Sequence, residues 1–382
     1  MKRWILTSVL VYLAASVALA AWLMPAGREH PPIAFPRPRA KVEWPGGADA
    51  EAARLDALRR ARVWSQPQEP VDFSANPPDP SGLLSTPVVR CRHLDSAISG
   101  TTAKFDCELQ DGEVVKVKYG HTGEIHAEVA GSRLLAALGF GADRMYLIPR
   151  VRCYGCVRTP FYTNWVLDKV RARQFVARSM PEDSFTDFEW AAVERHYGGL
   201  SIEAGDLKGW GWFELEAIDP SGGASRAERD ALRLAAVLLA HWDNKAQNQR
   251  LVCLAPAPSG AMPCPRPFAL INDLGATFGP NKVELDHWKK APIWADRARC
   301  TVSMRRFPYS GGTFSDTAIS EAGRQLIARE LTALTEGQVN TLFEASRFRQ
   351  FLGSGHEADI HAWTAAFFDK VRQIADGAPC PI

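Results

Sequence analysis

Two short stretches decide the reading of this 382-residue chain: His241-Trp242-Asp243-Asn244-Lys245-Ala246-Gln247-Asn248 and Asn272-Asp273-Leu274-Gly275. The first follows a helical pattern, RAERDALRLAAVLLAHW, with Leu232, Ala235, Ala236 and Leu239 at helical spacing. Ser225-x-x-Glu228 at its start is a capping-box signature. Two strand-like segments, QRLVCL and FALINDL, surround the loop APAPSGAMPCPRP and lead into the second stretch. The context is therefore helix, loop, strand, turn, strand, Asp. Asp and Asn after a helix are by themselves ordinary turn residues. Lys245 two positions beyond Asp243, and a strand-borne Asp-Leu-Gly, make the pattern far more specific than either residue alone.

These residues resemble the catalytic loop and the metal-binding Asp-Phe-Gly motif of protein kinases. The resemblance is closest to the atypical kinases, namely HipA-like bacterial kinases and secretory-pathway kinases related to Golgi casein kinase. It covers roughly residues 88 to 350. It implies an α+β, two-lobed protein-kinase-like fold with a small β-rich N-lobe and a mostly helical C-lobe, preceded by an N-terminal hydrophobic helix. It also implies a phosphotransferase that uses ATP and a divalent metal, Mg²⁺ or Mn²⁺, and acts on a hydroxyl acceptor, protein Ser/Thr included. Phosphoryl transfer needs positioning and charge neutralisation more than covalent chemistry. Asp243 would orient or deprotonate the attacking hydroxyl, and Lys245 would neutralise charge on the transferring phosphate. Asn248 and Asp273 would be the metal ligands, as hard oxygen donors. Gly275 would let the backbone turn where a Cβ would crowd the site. For His241 a buried helix-capping role is preferred to catalysis.

The segment after residue 88 reads as three strands, PVVRCRHL, AKFDCELQ and EVVKVKYG, with Asp111-Gly112 as a hairpin turn. A helix from Glu124 to Leu138 follows, then the strands MYLIPRVRC and FYTNWVL. Lys116 and Lys118 share one face of the third strand by its period of two, with Val115 and Val117 on the other. By resemblance, Lys118 would hold nucleotide phosphates, with Lys116 in reserve and Glu128 as the helix partner. Glu124, at the helix start, reads as a dipole-stabilising carboxylate. Gly100, Thr101 and Thr102, in the loop after the first strand, would present backbone N–H groups to phosphate; a plain hairpin loop explains them equally well. Thr277 and Asn281, beyond Gly275, are further cleft candidates, although a surface turn accounts for them better. The chain departs from the kinase pattern in three ways: it has no GxGxxG, no Ala-Pro-Glu, and Trp242 stands where Arg usually precedes the catalytic Asp.

Composition sets the frame. Hydrophobic residues make up 46% and charged residues 23%, as in a globular protein, and a net charge of +2 gives no reason to expect a nucleic-acid partner. Lys2 and Arg3 precede the uncharged run Trp4–Met24, long enough to cross a bilayer and oriented to place the rest of the chain outside the cytoplasm. Ala18-Leu19-Ala20 also offers a signal-cleavage site, so an anchor and a cleaved signal peptide both stand. Eight cysteines fit an oxidising compartment, and their connectivity stays open at this level. The expected organisation is 1–25 signal peptide or anchor, 26–87 Pro/Ala-rich linker with a helix from Ala48 to Ser65, 88–168 N-lobe and 169–382 C-lobe. Besides ATP and the unknown acceptor, the membrane is then an expected partner. Two other functions fit the same residues. One is a pseudokinase serving as a nucleotide-binding or interaction module of the cell envelope. The other is a small-molecule kinase or nucleotidyl transferase.

Overall fold

Asp111-Gly112 turns the chain as its sequence requires. Gly112 has φ 81°, Glu113 N donates to Asp111 Oδ1 at 3.0 Å, and β3 (Lys104–Leu109) and β4 (Val114–Lys118) pair antiparallel from Lys104↔Lys118 to Glu108↔Val114. In this computed structural model β2 (Val88–Leu94) extends the sheet on β3, and β5 (Arg144–Tyr154) lies parallel to β2. The next strand, β6 (Ser184–Arg195), pairs with both β4 and β5 and closes a five-stranded barrel. The short strand β1 (Gly27–Arg28) is added to the outside of β6. Closure gives β4 and β5, the outer strands of the sheet, a common partner in β6. Phe105, Cys107, Val115 and Val117 are buried inside it. The structure describes residues 24–31, 34–39, 44, 49–67, 70–96, 100–169, 171, 173, 180–254, 264–308 and 311–381.

The chain forms two compact units that interleave along the sequence. One comprises Met1–Ala40, Pro78–Gly120 and Leu147–Glu194, and the other Lys41–Pro77, His121–Tyr146 and Arg195–Ile382. The first contains most of the barrel. The second is mainly helical and is built around α4 (Arg226–Leu239). The Ser225–Glu228 capping box forms as its sequence predicts, with Ser225 N donating to Glu228 Oε2 at 2.6 Å. Leu234, Ala236, Leu238 and Leu239 of this helix are fully buried. The helices α6 (Glu321–Thr332), α7 (Glu336–Ala345) and α9 (Ile360–Ala375) complete this core, together with the short α5 (Leu285–Lys290) and α8 (Phe348–Leu352). Phe278, Trp288, Phe343, Phe348 and Trp363 make one aromatic cluster at its centre.

Three expectations are corrected. FYTNWVL is helix, α3 (Pro160–Lys169): Pro160 opens it and Thr163 N donates to Thr159 O at 2.9 Å, so local hydrogen bonding overrides the aromatic and β-branched content. The fifth barrel strand is instead β6, whose run SFTDFEWAAVER mixes charged and apolar residues without clean alternation. The segment read as a linker also contributes to the core. Its helix, α1 (Ala50–Arg59), is shorter than expected, and Leu58, Ala61 and Val63 have no exposed surface. Arg62 N donates to Pro267 O and Arg62 O accepts from Ala269 N, which joins this segment to β9 (Pro267–Ile271), a strand of the sheet formed with β7 (Leu200–Ser201) and β8 (Gln249–Cys253). The N-terminal hydrophobic run up to Leu23 lies outside the described residues. Among the described residues no helix is long and apolar enough to cross a membrane.

All eight cysteines are paired: Cys91–Cys107, Cys153–Cys156, Cys253–Cys264 and Cys300–Cys380. The last spans 80 residues and ties the chain terminus to the turn before β10 (Thr301–Val302). Cross-linking a loop of that length removes unfolded-state freedom equivalent to ~4 kcal/mol. A C300S/C380S variant is expected to lose stability of that order in urea unfolding under non-reducing conditions. An unchanged midpoint would show that the bond adds nothing.

Candidate functional site

The helix α4 ends at Ala240, which takes a left-handed φ of 54°, and His241 N returns to Ala236 O at 2.9 Å. That exit sets the loop that follows. Asn244, fully buried, fastens it on both sides. Its Nδ2 donates to His241 O and Trp242 O, and its Oδ1 accepts from Thr313 N and Phe314 N at 3.0 Å each. Thr313 Oγ1 donates back to Asn244 O at 2.9 Å. Sequence alone assigns Asn244 no role; the distant 313–314 segment reveals it.

Within the loop, Lys245 Nζ lies 2.9 Å from Asp243 Oδ1, and both side chains keep substantial exposure. Asn248 Nδ2 donates to Asp243 O at 2.5 Å. Asn248 O accepts from Asn272 N at 2.8 Å and from Asp273 N at 3.1 Å. The two stretches singled out by sequence are thus bonded to each other directly. Trp242 reinforces the junction: its backbone N donates to Ala276 O and its indole Nε1 to Gly279 O. Asp273 Oδ1 accepts from Gly275 N at 3.0 Å, which closes a tight turn.

Helix α2 (Gly123–Ala137) packs on this turn. A Cβ at Gly275 would stand 2.2 Å from Glu124 Cγ, and a Cβ at Gly131 would stand 3.3 Å from Leu274 Cβ. Gly275 is therefore required by the approach of this helix. Glu124 is more than a dipole-stabilising residue, because it forms an ion pair with Lys282. Thr277 is wholly buried and donates to Leu274 O at 2.8 Å, while Asn281 binds Glu284; both serve the local turn. Glu128, on the same helix, is 1% exposed.

His241 is buried, and neither ring nitrogen has a hydrogen-bond partner among the described residues. Burial pushes its pKa down to about 4, against the opposing pull of Asp273 and Asp243, so the ring is neutral at pH 7. Asn272 Oδ1 and both amide atoms of Gln249 are likewise buried and unsatisfied among the described residues. These orphaned groups sit on the elements that carry the site.

In the barrel unit Lys116 and Lys118 share a face, as the period of two requires, and both meet Glu194 of β6. Lys116 Nζ lies 2.8 Å from Glu194 Oε1 and Lys118 Nζ 3.6 Å from Oε2. Lys118 is 1% exposed, which removes the reading of a solvated strand lysine; Lys116 is partly exposed. Glu194 escaped the sequence reading because its strand did. Gly100 has φ 91°, Thr101 is exposed and Thr102 buried, while residues 97–99 of that loop lie outside the described residues.

No protein-family model matches the chain, and none of the curated proteins does. Among solved structures it is similar to that of a Helicobacter pylori proinflammatory kinase, CtkA, with 10% identity over 75% of this chain and 95% of that chain, at a TM-score of 0.42. A likeness of this extent assigns no activity.

Two outcomes follow. Gly275→Ala should destabilise the fold by about 1–3 kcal/mol through overpacking, and Glu124→Ala in the same chain should recover part of that loss. Additive losses in thermal unfolding would refute the contact. On acidification, the unfolded chain protonates His241 and His126 near pH 6.5, while burial holds both near 4 in the folded state. Stability is therefore intact above pH 6.5 and falls as pH drops toward 4. Melting temperature against pH should show this slope, and His126→Gln should shallow it.

Proposed function

We propose that the chain is an ATP- and divalent-metal-dependent phosphotransferase of the kinase type acting on a hydroxyl acceptor. The supporting observation is the bond from Asp273 N to Asn248 O, which holds the Asp243 loop against the Asp-Leu-Gly turn. The order of elements supports the two-lobed reading: three strands, a helix, two further strands with the short helix α3 between them, then a mainly helical half. The strand that carries Lys118 runs at once into the helix that carries Glu128, the arrangement by which kinases pair a lysine with a helix carboxylate.

In this reading Asp243 accepts the proton as the acceptor oxygen bonds to the γ-phosphorus and the bond to the ADP oxygen breaks. Lys245, beside Asp243, faces the charge that develops on the transferring group. Lys118 and Glu128 serve the nucleotide phosphates, with Lys116 holding Glu194 in place. Asn248 and Asp273 are hard oxygen donors of the kind Mg²⁺ or Mn²⁺ takes, and the orphaned Asn272 Oδ1 beside them fits a polar ligand. When bound, the ion neutralises phosphate charge.

Four disulfides support an oxidising compartment, and with the run Trp4–Met24 they support an extracytoplasmic location, anchored or released by cleavage. Such a location would favour the second reading, a pseudokinase that uses the fold for binding, because spaces outside the cytoplasm hold little ATP.

Transfer of γ-labelled phosphate from ATP, with Mg²⁺ or Mn²⁺, is expected from the wild type. Asp243→Asn should lower it by about a hundredfold or more, and Asp273→Ala should do the same. Undiminished transfer in both variants would remove the proposal. A wild type inactive toward every acceptor yet stabilised by ATP and metal in thermal shift would establish the second reading.

A further inference from the structure

Helix α3 presents its apolar residues outward. Tyr162, Trp165 and Val166, at spacing i, i+3, i+4, are 56%, 61% and 51% exposed, the reverse of a helix packed on a core. The helix is nonetheless fixed: Phe161 N donates to the buried Tyr119 hydroxyl oxygen at 3.1 Å, and Thr163 N to Thr159 O. Lys169 lies over the Trp165 ring at 5.7 Å, so the stripe ends in a cation.

What covers this face follows from where Met24 is held. Met24, the last residue of the uncharged run, is 49% exposed, and its carbonyl accepts from Arg158 Nε at 3.2 Å. Arg158 lies two residues before the start of α3. The chain is stitched to the barrel again at once, by Gly27↔Phe185 and Arg28↔Ser184. An anchor formed by Trp4–Met24 would thus have almost no slack between bilayer and barrel. It would hold α3 at the lipid surface, where Trp and Tyr are favoured and Lys meets headgroups.

We propose that Tyr162, Trp165 and Val166 form a second membrane contact, inserted into the lipid interface beside the anchor. The proposal rests on the uncleaved-anchor reading. To test it, the full chain carrying Trp4→Phe and Trp22→Phe is placed in palmitoyl-oleoyl-phosphatidylcholine nanodiscs, with and without lipid brominated on its acyl chains. Brominated lipid is expected to quench its tryptophan fluorescence, and adding Trp165→Phe should abolish that quench. A Tyr162→Ser/Val166→Ser variant, melting at the parent temperature, should weaken it. A chain that co-elutes with the discs but shows no quench, or keeps its quench without Trp165 or with the serine pair, overturns the contact while the anchor stands. A chain that fails to co-elute overturns both.

Discussion

The carbonyl oxygen of Asn248 accepts two backbone hydrogen bonds, from Asn272 and Asp273, and the geometry of the candidate site depends on them. Buried backbone groups must find partners, and a loop leaving a helix buried from Glu228 to its end has few. Here the partner is the start of the turn after β9, so the loop and the turn fix each other. The positive φ at Ala240 is the local strain that this arrangement tolerates. It is offset by the burial of α4 and by the bonds through which Asn244 ties the loop to Thr313 and Phe314.

Charge burial imposes the parallel constraint in the barrel. An ammonium group at 1% exposure is tolerable only with an anionic partner. Glu194, itself 3% exposed, meets both lysines of β4 across the β4–β6 pairing. Truncating Glu194 would take an anion away from both lysines at once. Burial separates Lys118 from Lys116, although both lie on one strand face: Lys116, partly exposed, donates to Glu194 Oε1 at 2.8 Å, while the buried Lys118 Nζ stands 3.6 Å from Oε2.

The parts legible in the sequence were those set by local chemistry. The Asp111-Gly112 turn, the Ser225–Glu228 capping box and the two polar stretches each need only neighbouring residues. The parts that were missed depend on distant ones. Strand β6 carries Glu194 on a run with no clean alternation, because its C-terminal half is buried on both faces and its centre is exposed. Helix α3 has strand-like composition, and only its hydrogen bonds decide otherwise. The 50–65 segment reads as a helix within a Pro/Ala-rich linker, yet Leu58, Ala61 and Val63 all enter the core. Asn244 becomes visible as a fastening only when a segment about seventy residues away is placed beside it.

The disulfides follow the same division of labour. Cys91–Cys107 links adjacent strands of the barrel, and Cys153–Cys156 lies against it, with Cys107 Sγ 3.7 Å from Cys153 Sγ. Cys91 and Cys153 also face each other across the parallel β2–β5 pair. Parallel pairing is slightly weaker per residue than antiparallel, and β2–β5 is parallel where β2–β3, β3–β4 and β4–β6 are antiparallel. The four sulfurs thus gather at the seam where hydrogen bonding gives least. The other two bonds, Cys253–Cys264 and Cys300–Cys380, lie wholly within the helical unit. Each unit carries its own covalent staples, so each has a means of holding its half of the proposed chemistry in shape.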